Sequence, residues 1–424
     1  MDQTEHLKVA FITPEMAPLA KTGGLADVTG ALPKYLSRSG QLEVTVWLPF
    51  YREIKKKNLN LKLVATNLKL DIFPAESQKN FSIFEYQTED FKVYLVQNDF
   101  YFDRDYLYGT PEGDYPDNGH RFAFFCLAAL TGFKLINWIP DLIHAHDWQS
   151  ALTLAYLKHV LATDGLYQKT RSLFTIHNLA YQGLFPPEIL GQVGLPGYLF
   201  NPEDMEFYGR VNYLKAGLLY SEAISTVSPT YSQEIQTPEF GFGLDGVLRK
   251  RSERLFGILN GIDYQEWNPA TNPALPAHYS RQSPAGKFLC PQELLRSFNF
   301  DAQSKQPIVG LVSRLAGQKG FDLLVKSLDE ILKRDLYLII LGTGEKKIQD
   351  MLIQAVRKYP QKLGLKIAFD DRLARLIYAG SDFFLIPSRY EPCGLTQMYS
   401  LRYGTIPIVR STGGLKDSVQ EFNP

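Results

Sequence analysis

Three stretches of this 424-residue chain carry side chains suited to a phosphorylated, hydroxyl-rich ligand. The first is Lys21-Thr22-Gly23-Gly24-Leu25-Ala26-Asp27-Val28. Adjacent glycines let backbone N–H groups approach a phosphate or sugar at a helix N-terminus, and Lys21 supplies a point charge. The same pattern also makes a tight strand-to-helix turn with a solvated lysine. The second stretch sets Arg314 and Lys319 just before a helical pattern at Phe321 to Leu332. Both cations could converge on a diphosphate there, and they would stabilise its growing charge more in the transition state than in the ground state. Outside such a context the pair reads as a solvated basic surface. The third is Glu391-Pro392-Cys393-Gly394-Leu395-Thr396-Gln397. Glu391 can accept hydrogen bonds from ligand hydroxyls, while Gly394, Leu395 and Thr396 can present helix-terminal N–H groups to phosphate.

Two further candidates stand at the ends of apolar runs. Asp147 beside Trp148 offers a carboxylate for sugar hydroxyls and an apolar ring face; an aspartate there is equally a helix N-cap. His177 and Asn178 place two polar side chains where a ligand site would open, although a lone histidine is commonly structural. His144 and His146 alternate with Ala145 at a strand end and need not face one way, so no metal site is read from them. Cys393 lacks a neighbouring base in sequence and is not read as a nucleophile. Gly342-Thr343-Gly344 lacks the third glycine of a dinucleotide fingerprint, Lys347 standing in its place, so it reads as pocket lining and not as an NAD site. Asp371 and Tyr378 read as structural.

The elements that must position these residues follow a βαβ rhythm. Strands are expected at Val9 to Ile12, Val44 to Leu48, Val93 to Val96, Asp141 to Ala145, Ser172 to Ile176 and Ala223 to Val227. A stretch rich in Pro and Ser, Trp267 to Pro307, reads as irregular. The rhythm then restarts at Pro307 to Val312, Tyr337 to Leu341, Leu365 to Phe369, Phe383 to Pro387 and Ile406 to Val409. The expected fold class is α/β, two doubly wound Rossmann-like domains facing across a cleft, residues 1–261 and 262–424. The similar hexapeptides beginning at Thr22 and Thr412 each follow a strand and precede a helix, by a shared architectural role or by chance.

Composition narrows the partners. Lys plus Arg and Asp plus Glu both number 45, so no global field favours nucleic acid or an anionic membrane. Three scattered cysteines form no CxxC pair, which argues against a disulfide framework or zinc and for a reducing compartment. The polar start, Met1 to Lys8, lacks the apolar stretch of a signal peptide, and no apolar run is long enough to span a bilayer.

The octapeptide KTGGLADV resembles the N-terminal signature of bacterial and plastid glycogen/starch synthases, retaining glucosyltransferases of glycosyltransferase family 5 with the GT-B fold. Further blocks follow in that family's order: Tyr108-Gly109 with Tyr115-Pro116-Asp117-Asn118 and Arg121-Phe122, then His144 to Trp148, Thr175 to Gly183, Leu259 to Asp263, Ser313 to Leu315, Gln318 to Gly320, and Glu391 to Gln397. The resemblance implies transfer of glucose from ADP-glucose, with UDP-glucose as the alternative donor, to the non-reducing end of an α-1,4-glucan with retention. It implies catalytic roles for His177, Glu391, Arg314 and Lys319. Substrate contacts are implied for Lys21, Gly23, Gly24, Asp27, Asp147, Asn178, Asn260, Cys393, Gly394, Leu395, Thr396 and Tyr399. His177 would hydrogen-bond the donor glucose, and Tyr399 would stack on or flank the nucleotide. No cofactor or metal is implied, and the setting would be the bacterial cytoplasm or plastid stroma. Family members continue beyond the position of Pro424, so the second domain is expected to be incomplete at its C-terminus. A glucan-binding or scaffold protein of weak catalytic power, with the same fold, is the alternative.

Overall fold

The computed structural model describes residues 6–73, 76–110 and 112–423; residues 1–5 of the polar start lie outside them. The chain forms two compact units. One runs to Val227 and includes Ser232–Ile258; the other holds Ser228–Tyr231 and everything from Leu259 onward.

In the first unit the strands are β1 (Leu7–Ile12), β2 (Leu42–Pro49), β3 (Leu61–Lys69), β4 (Asn80–Gln87), β5 (Lys92–Gln97), β6 (Leu142–His146), β7 (Arg171–Ile176), β8 (Ala223–Thr226) and β9 (Leu255–Gly257). They form one sheet in the order β9-β8-β7-β6-β1-β2-β5-β4-β3. All neighbours pair in parallel except β5 with β4 and β4 with β3, which are antiparallel. The parallel strands other than the edge strand β9, where Phe256 is 51% exposed, are largely buried, which is why they read as nearly unbroken apolar runs. The β3–β4 hairpin escaped the sequence reading because β3 is half-exposed and mixes Lys62, Asn67 and Lys69 among its apolar residues. Charges of this kind are typical of an edge strand. The helix Asn118–Leu135 buries Phe122, Phe124, Phe125 and Phe133. Gly132 lets that helix approach closely, because a Cβ there would lie 2.5 Å from the Trp47 ring.

In the second unit β10 (Ile308–Val312), β11 (Tyr337–Gly342), β12 (Leu363–Ile367), β13 (Phe383–Ile386) and β14 (Ile406–Val409) form a parallel sheet in the order β12-β11-β10-β13-β14. Leu311, Phe321, Leu324, Leu328, Leu338, Ile340 and Leu352 make its core. Two expectations need correction. Strand β12 starts and ends two residues before the expected run: Leu363 and Gly364 pair with Leu338 and Ile339, whereas Phe369 is 81% exposed. Gly364 is a poor strand former on its own, but here a Cβ would lie 2.6 Å from Phe298, so close packing selects glycine. The stretch read as irregular contains a helix, Cys290–Ser297, burying Cys290, Leu294 and Leu295. Pro291, one of the prolines of that stretch, sits in the first turn, where its missing N–H costs nothing.

Among its parallel strands each sheet reverses its strand order once. The first does so between β1 and β6, the second between β10 and β13. Ligands of open α/β sheets bind outside the carboxyl ends of the strands at such points.

Candidate active site

At the first reversal the chain leaving β1 carries Glu15, which is 4% exposed. Its carboxylate accepts the Thr22 N–H and the Thr22 hydroxyl, each at 2.6 Å, the Gly23 N–H at 3.2 Å and the Tyr108 hydroxyl at 2.7 Å. The cradle expected from Gly23 and Gly24 is therefore corrected in part. Gly23 caps the helix Gly24–Arg38, but its N–H and that of Thr22 are already committed to a carboxylate of the chain itself. An anion is favoured at a helix N-terminus, and Glu15 supplies it. Lys21 Nζ pairs with Asp27 at 2.6 Å. The second hexapeptide also opens a helix, Gly413–Ser418, one residue out of step with the first because Thr412 is its cap.

Tyr108 stands on a loop held from beneath by Arg121. That fully buried guanidinium donates to the carbonyls of Tyr101 and Leu107 and to Asn118 Oδ1, while Asn118 Nδ2 donates to the Tyr108 carbonyl. A hollow of about 460 Å³ lies there, lined by Lys21, Thr22, Glu53, Tyr106, Tyr108 and Asp114 among others. Glu15 was missed by the sequence reading. The signal was present, since it follows β1 by three residues, and a strand-end carboxylate was the criterion that singled out Asp147.

Asp147 opens the helix Asp147–His159 in the left-handed region, at φ 55°. Its carboxylate does not cap that helix. Instead Oδ1 accepts the His177 N–H at 2.7 Å, and the Asn178 N–H donates to the same carboxylate. The N-cap alternative is thereby overturned. A non-glycine residue held at positive φ is characteristic of functional sites, where surrounding contacts impose it. Burial pushes the Asp147 carboxyl up to about 7, against the two backbone donors and with the negative field of Glu15. Asn178 Oδ1 is engaged by the Ala180 N–H, closing the turn that carries the loop. Trp148 is no open platform: it is 7% exposed, packs on Phe122 and Phe185, and leaves room above it only for glycine at 183.

His144 and His146 share a face, as the two-residue period of a strand requires, with ring centroids 4.1 Å apart. His144 Nε2 meets Thr175 Oγ1 at 2.6 Å, and His146 Nδ1 meets His177 Nε2 at 3.0 Å. Burial depresses all three imidazoles, His144 and His177 to about 3, so each is neutral near pH 7.

At the second reversal Lys319 Nζ lies 2.6 Å from Glu391 Oε2, which also accepts the Ser388 hydroxyl at 2.8 Å. Lys319 precedes the helix Phe321–Leu332, capped by Gly320 at φ 74°. A Cβ on Gly320 would lie 2.0 Å from the Pro387 carbonyl, so glycine is what lets the two loops meet. The Gln318 carbonyl accepts the Arg389 N–H at 2.8 Å, tying the same loops together. Arg314 is exposed just beyond β10. Its loop rests on Gly342 and Gly344, where a Cβ would lie 1.9 Å from the Ser313 carbonyl and 2.3 Å from that of Leu315. This packing explains the declined Gly-x-Gly.

Gly413 and Gly414 pack against the Glu391 and Cys393 carbonyls in the same way. Asn260 bonds the Cys393 thiol through backbone and side chain, and burial pushes that thiol up to about 12, so it is no thiolate. Gly394, at φ 69°, and Leu395 lead into the helix Thr396–Arg402, whose first-turn N–H groups have no acceptor within the helix. Tyr399 departs from expectation. It is 5% exposed and stacks on Trp267 at 3.6 Å, so that face is closed to a nucleotide. Asp371 pairs with Arg375, and Tyr378 packs among Trp267, Phe384 and Tyr399.

Two Rossmann-like units, each gathering polar and charged residues at its strand-order reversal, define a GT-B-type transferase. Residues 8–250 match the family described as starch synthase catalytic domain, and residues 295–423 match glycosyl transferases group 1. Glycogen synthase of Pseudothermotoga lettingae is 45% identical over 99% of this chain and 86% of its own length. That of Koribacter versatilis is 47% identical over 99% and 85%, respectively. The solved catalytic domain of starch synthase IV from Arabidopsis thaliana, bound to ADP and acarbose, matches with a TM-score of 0.90 and 36% identity over 99% of this chain and 86% of that one. Sucrose-phosphate synthase from Thermosynechococcus elongatus shares the fold alone, with a TM-score of 0.57 and 16% identity over 98% and 84%. The chain belongs to the starch synthase catalytic-domain family, alongside bacterial glycogen synthases. Among the described residues no helix is long and apolar enough to cross a membrane.

Proposed function

We propose that this protein transfers glucose from ADP-glucose to the non-reducing end of an α-1,4-glucan with retention of configuration. The observation that carries the reading is the Lys319–Glu391 pair, held at 2.6 Å at the strand-order reversal of the second sheet. It couples a cation suited to a departing diphosphate with a carboxylate suited to sugar hydroxyls, in a chain whose relatives are glycogen synthases. In this reading residues 1–261 receive the glucan and contribute part of the donor site, and residues 262–424 hold the nucleotide sugar. Lys319 and Arg314 stabilise the negative charge that builds as the glycosidic bond breaks, and preorganised cations do this without reorganisation at the moment of reaction. Glu391 accepts from glucose hydroxyls. His177, neutral and held by Asp147 through its backbone, hydrogen-bonds the donor glucose, and its carbonyl faces the positive charge developing at the anomeric carbon. The departing phosphate helps to deprotonate the attacking 4-hydroxyl. The setting is a bacterial cytoplasm or a plastid stroma.

The test is incorporation of labelled glucose into glycogen from ADP-glucose and UDP-glucose in parallel. Incorporation from ADP-glucose supports the reading, and preference for UDP-glucose corrects the donor. Glucan binding without incorporation from either donor would establish the non-catalytic alternative.

A further inference from the structure

His146 has no part in the function proposed above, yet its placement is specific. It ends β6 with no measurable exposure, its ring stacked on Phe11 at 5.3 Å and 17°. Nδ1 meets His177 Nε2 at 3.0 Å, whereas Nε2 is buried and has no hydrogen-bond partner. A neutral imidazole carries one proton, so the two nitrogens cannot be assigned independently. If Nε2 held the proton, an N–H donor would be orphaned in a buried site, and orphaned buried N–H groups are the rarer kind of unsatisfied backbone polar group. The alternative leaves only a lone pair at Nε2 and places the proton on Nδ1, where His177 Nε2 can accept it. The bond from His146 then requires His177 to be bare at Nε2 and protonated at Nδ1.

We propose that His146 is a positioning residue that sets the tautomer of His177, so that His177 offers its ligand an N–H donor at Nδ1 and never an acceptor. The doubly protonated imidazolium is excluded at either ring by burial. A fixed donor selects a ligand oxygen in its acceptor role and holds the hydroxyl proton turned away towards a different acceptor. A freely exchanging His177 would spend part of its time presenting a lone pair to the same oxygen and repelling it. Thr175, which bonds His144 at 2.6 Å and Ser225 at 2.6 Å, fixes the neighbouring histidine, whose ring lies 4.1 Å from that of His146. The kinetic consequence rests on His177 touching the donor sugar as proposed; the tautomer assignment does not.

The direct test is long-range 1H–15N correlation on histidine-labelled full-length protein at pH 7.5, with His177→Asn identifying the His177 ring signals. The expected pattern is a protonated Nδ1 and a bare Nε2 for His177. His146→Leu should make both tautomers visible and lower kcat/KM for the nucleotide sugar by about tenfold or more, the kind of loss that follows when an orienting partner is removed. His146→Asn, whose amide can place an N–H near the position of Nδ1, should recover most of both effects. A wild-type His177 protonated at Nε2 overturns the proposal even if the variants fail to fold. So does a His146→Leu protein with unchanged tautomer and turnover. Full activity in His177→Ala would instead remove His177 from the donor site and leave the tautomer assignment standing.

Discussion

Replacing Lys319 by alanine should abolish most turnover while costing the fold a modest amount, and the two effects can be separated. Lys319 and Glu391 are 2.6 Å apart with side chains 21% and 9% exposed, so the pair is shielded but not sealed. Breaking a fully buried pair costs about 3–5 kcal/mol, and an exposed one about 0–1 kcal/mol. About 1–3 kcal/mol is therefore the expected loss of stability here, since among the described residues Glu391 keeps only the Ser388 hydroxyl as a side-chain partner. For a unit of this size that is a fall in Tm of roughly 2–12 °C. The catalytic loss should be larger. Removing one preorganised donor from developing negative charge costs roughly 10²–10³ in kcat, about 2.7–4 kcal/mol of transition-state stabilisation. Initial rates from ADP-glucose, measured at least 10 °C below the variant's own Tm on the order-of-magnitude scale above, test this beside a thermal melt. Turnover within about threefold of wild type, a difference under 1 kcal/mol, would refute the placement of Lys319 at the diphosphate. Lys319→Arg makes a useful second arm, because a planar guanidinium keeps the charge and changes its geometry.

Acid sensitivity should follow the buried histidines. His144 is held neutral, its folded value near 3 against 6.5 when free. Between those values the unfolded chain binds a proton that the native state refuses, so stability falls as pH drops below 6.5, by about 1.4 kcal/mol per pH unit and about 2 kcal/mol by pH 5. His144→Gln, unable to titrate there, should lose correspondingly less stability between pH 7 and pH 5 in urea unfolding; identical losses in both proteins would contradict this. Gly320→Ala should cost more than about 2 kcal/mol, combining left-handed strain with a clash against the Pro387 carbonyl. Gly317→Ala, with nothing within 4 Å of the new methyl, should stay within about 0.5 kcal/mol of wild type, and a reversed order in chemical denaturation would show that the loops move apart freely.

The sequence by itself determined most of the parallel strands, though not the short edge strand β9 or the register of β12, and the blocks that end them. A strand covered on both faces must be apolar throughout, and polar residues immediately beyond it have few places to be except a strand end. His177 and Asp147 were singled out as candidates for that reason, whereas the roles implied for His177, Lys319 and Glu391, and the family, came from the resemblance of the blocks around them. What only the tertiary structure decided is which groups hold which. Glu15 and Thr22 are separated by six residues, Lys319 and Glu391 by seventy-one, and Asp147 and the His177 N–H by twenty-nine, and no local pattern says that these meet. The same limit hid the helix Cys290–Ser297 behind its proline and let Tyr399 look available for a nucleotide, when Trp267, 132 residues earlier, already covers its face. Backbone pattern is set by local burial and propensity. Pairing across the strand ends is set by the order in which the sheet is assembled, which the chain expresses only once folded.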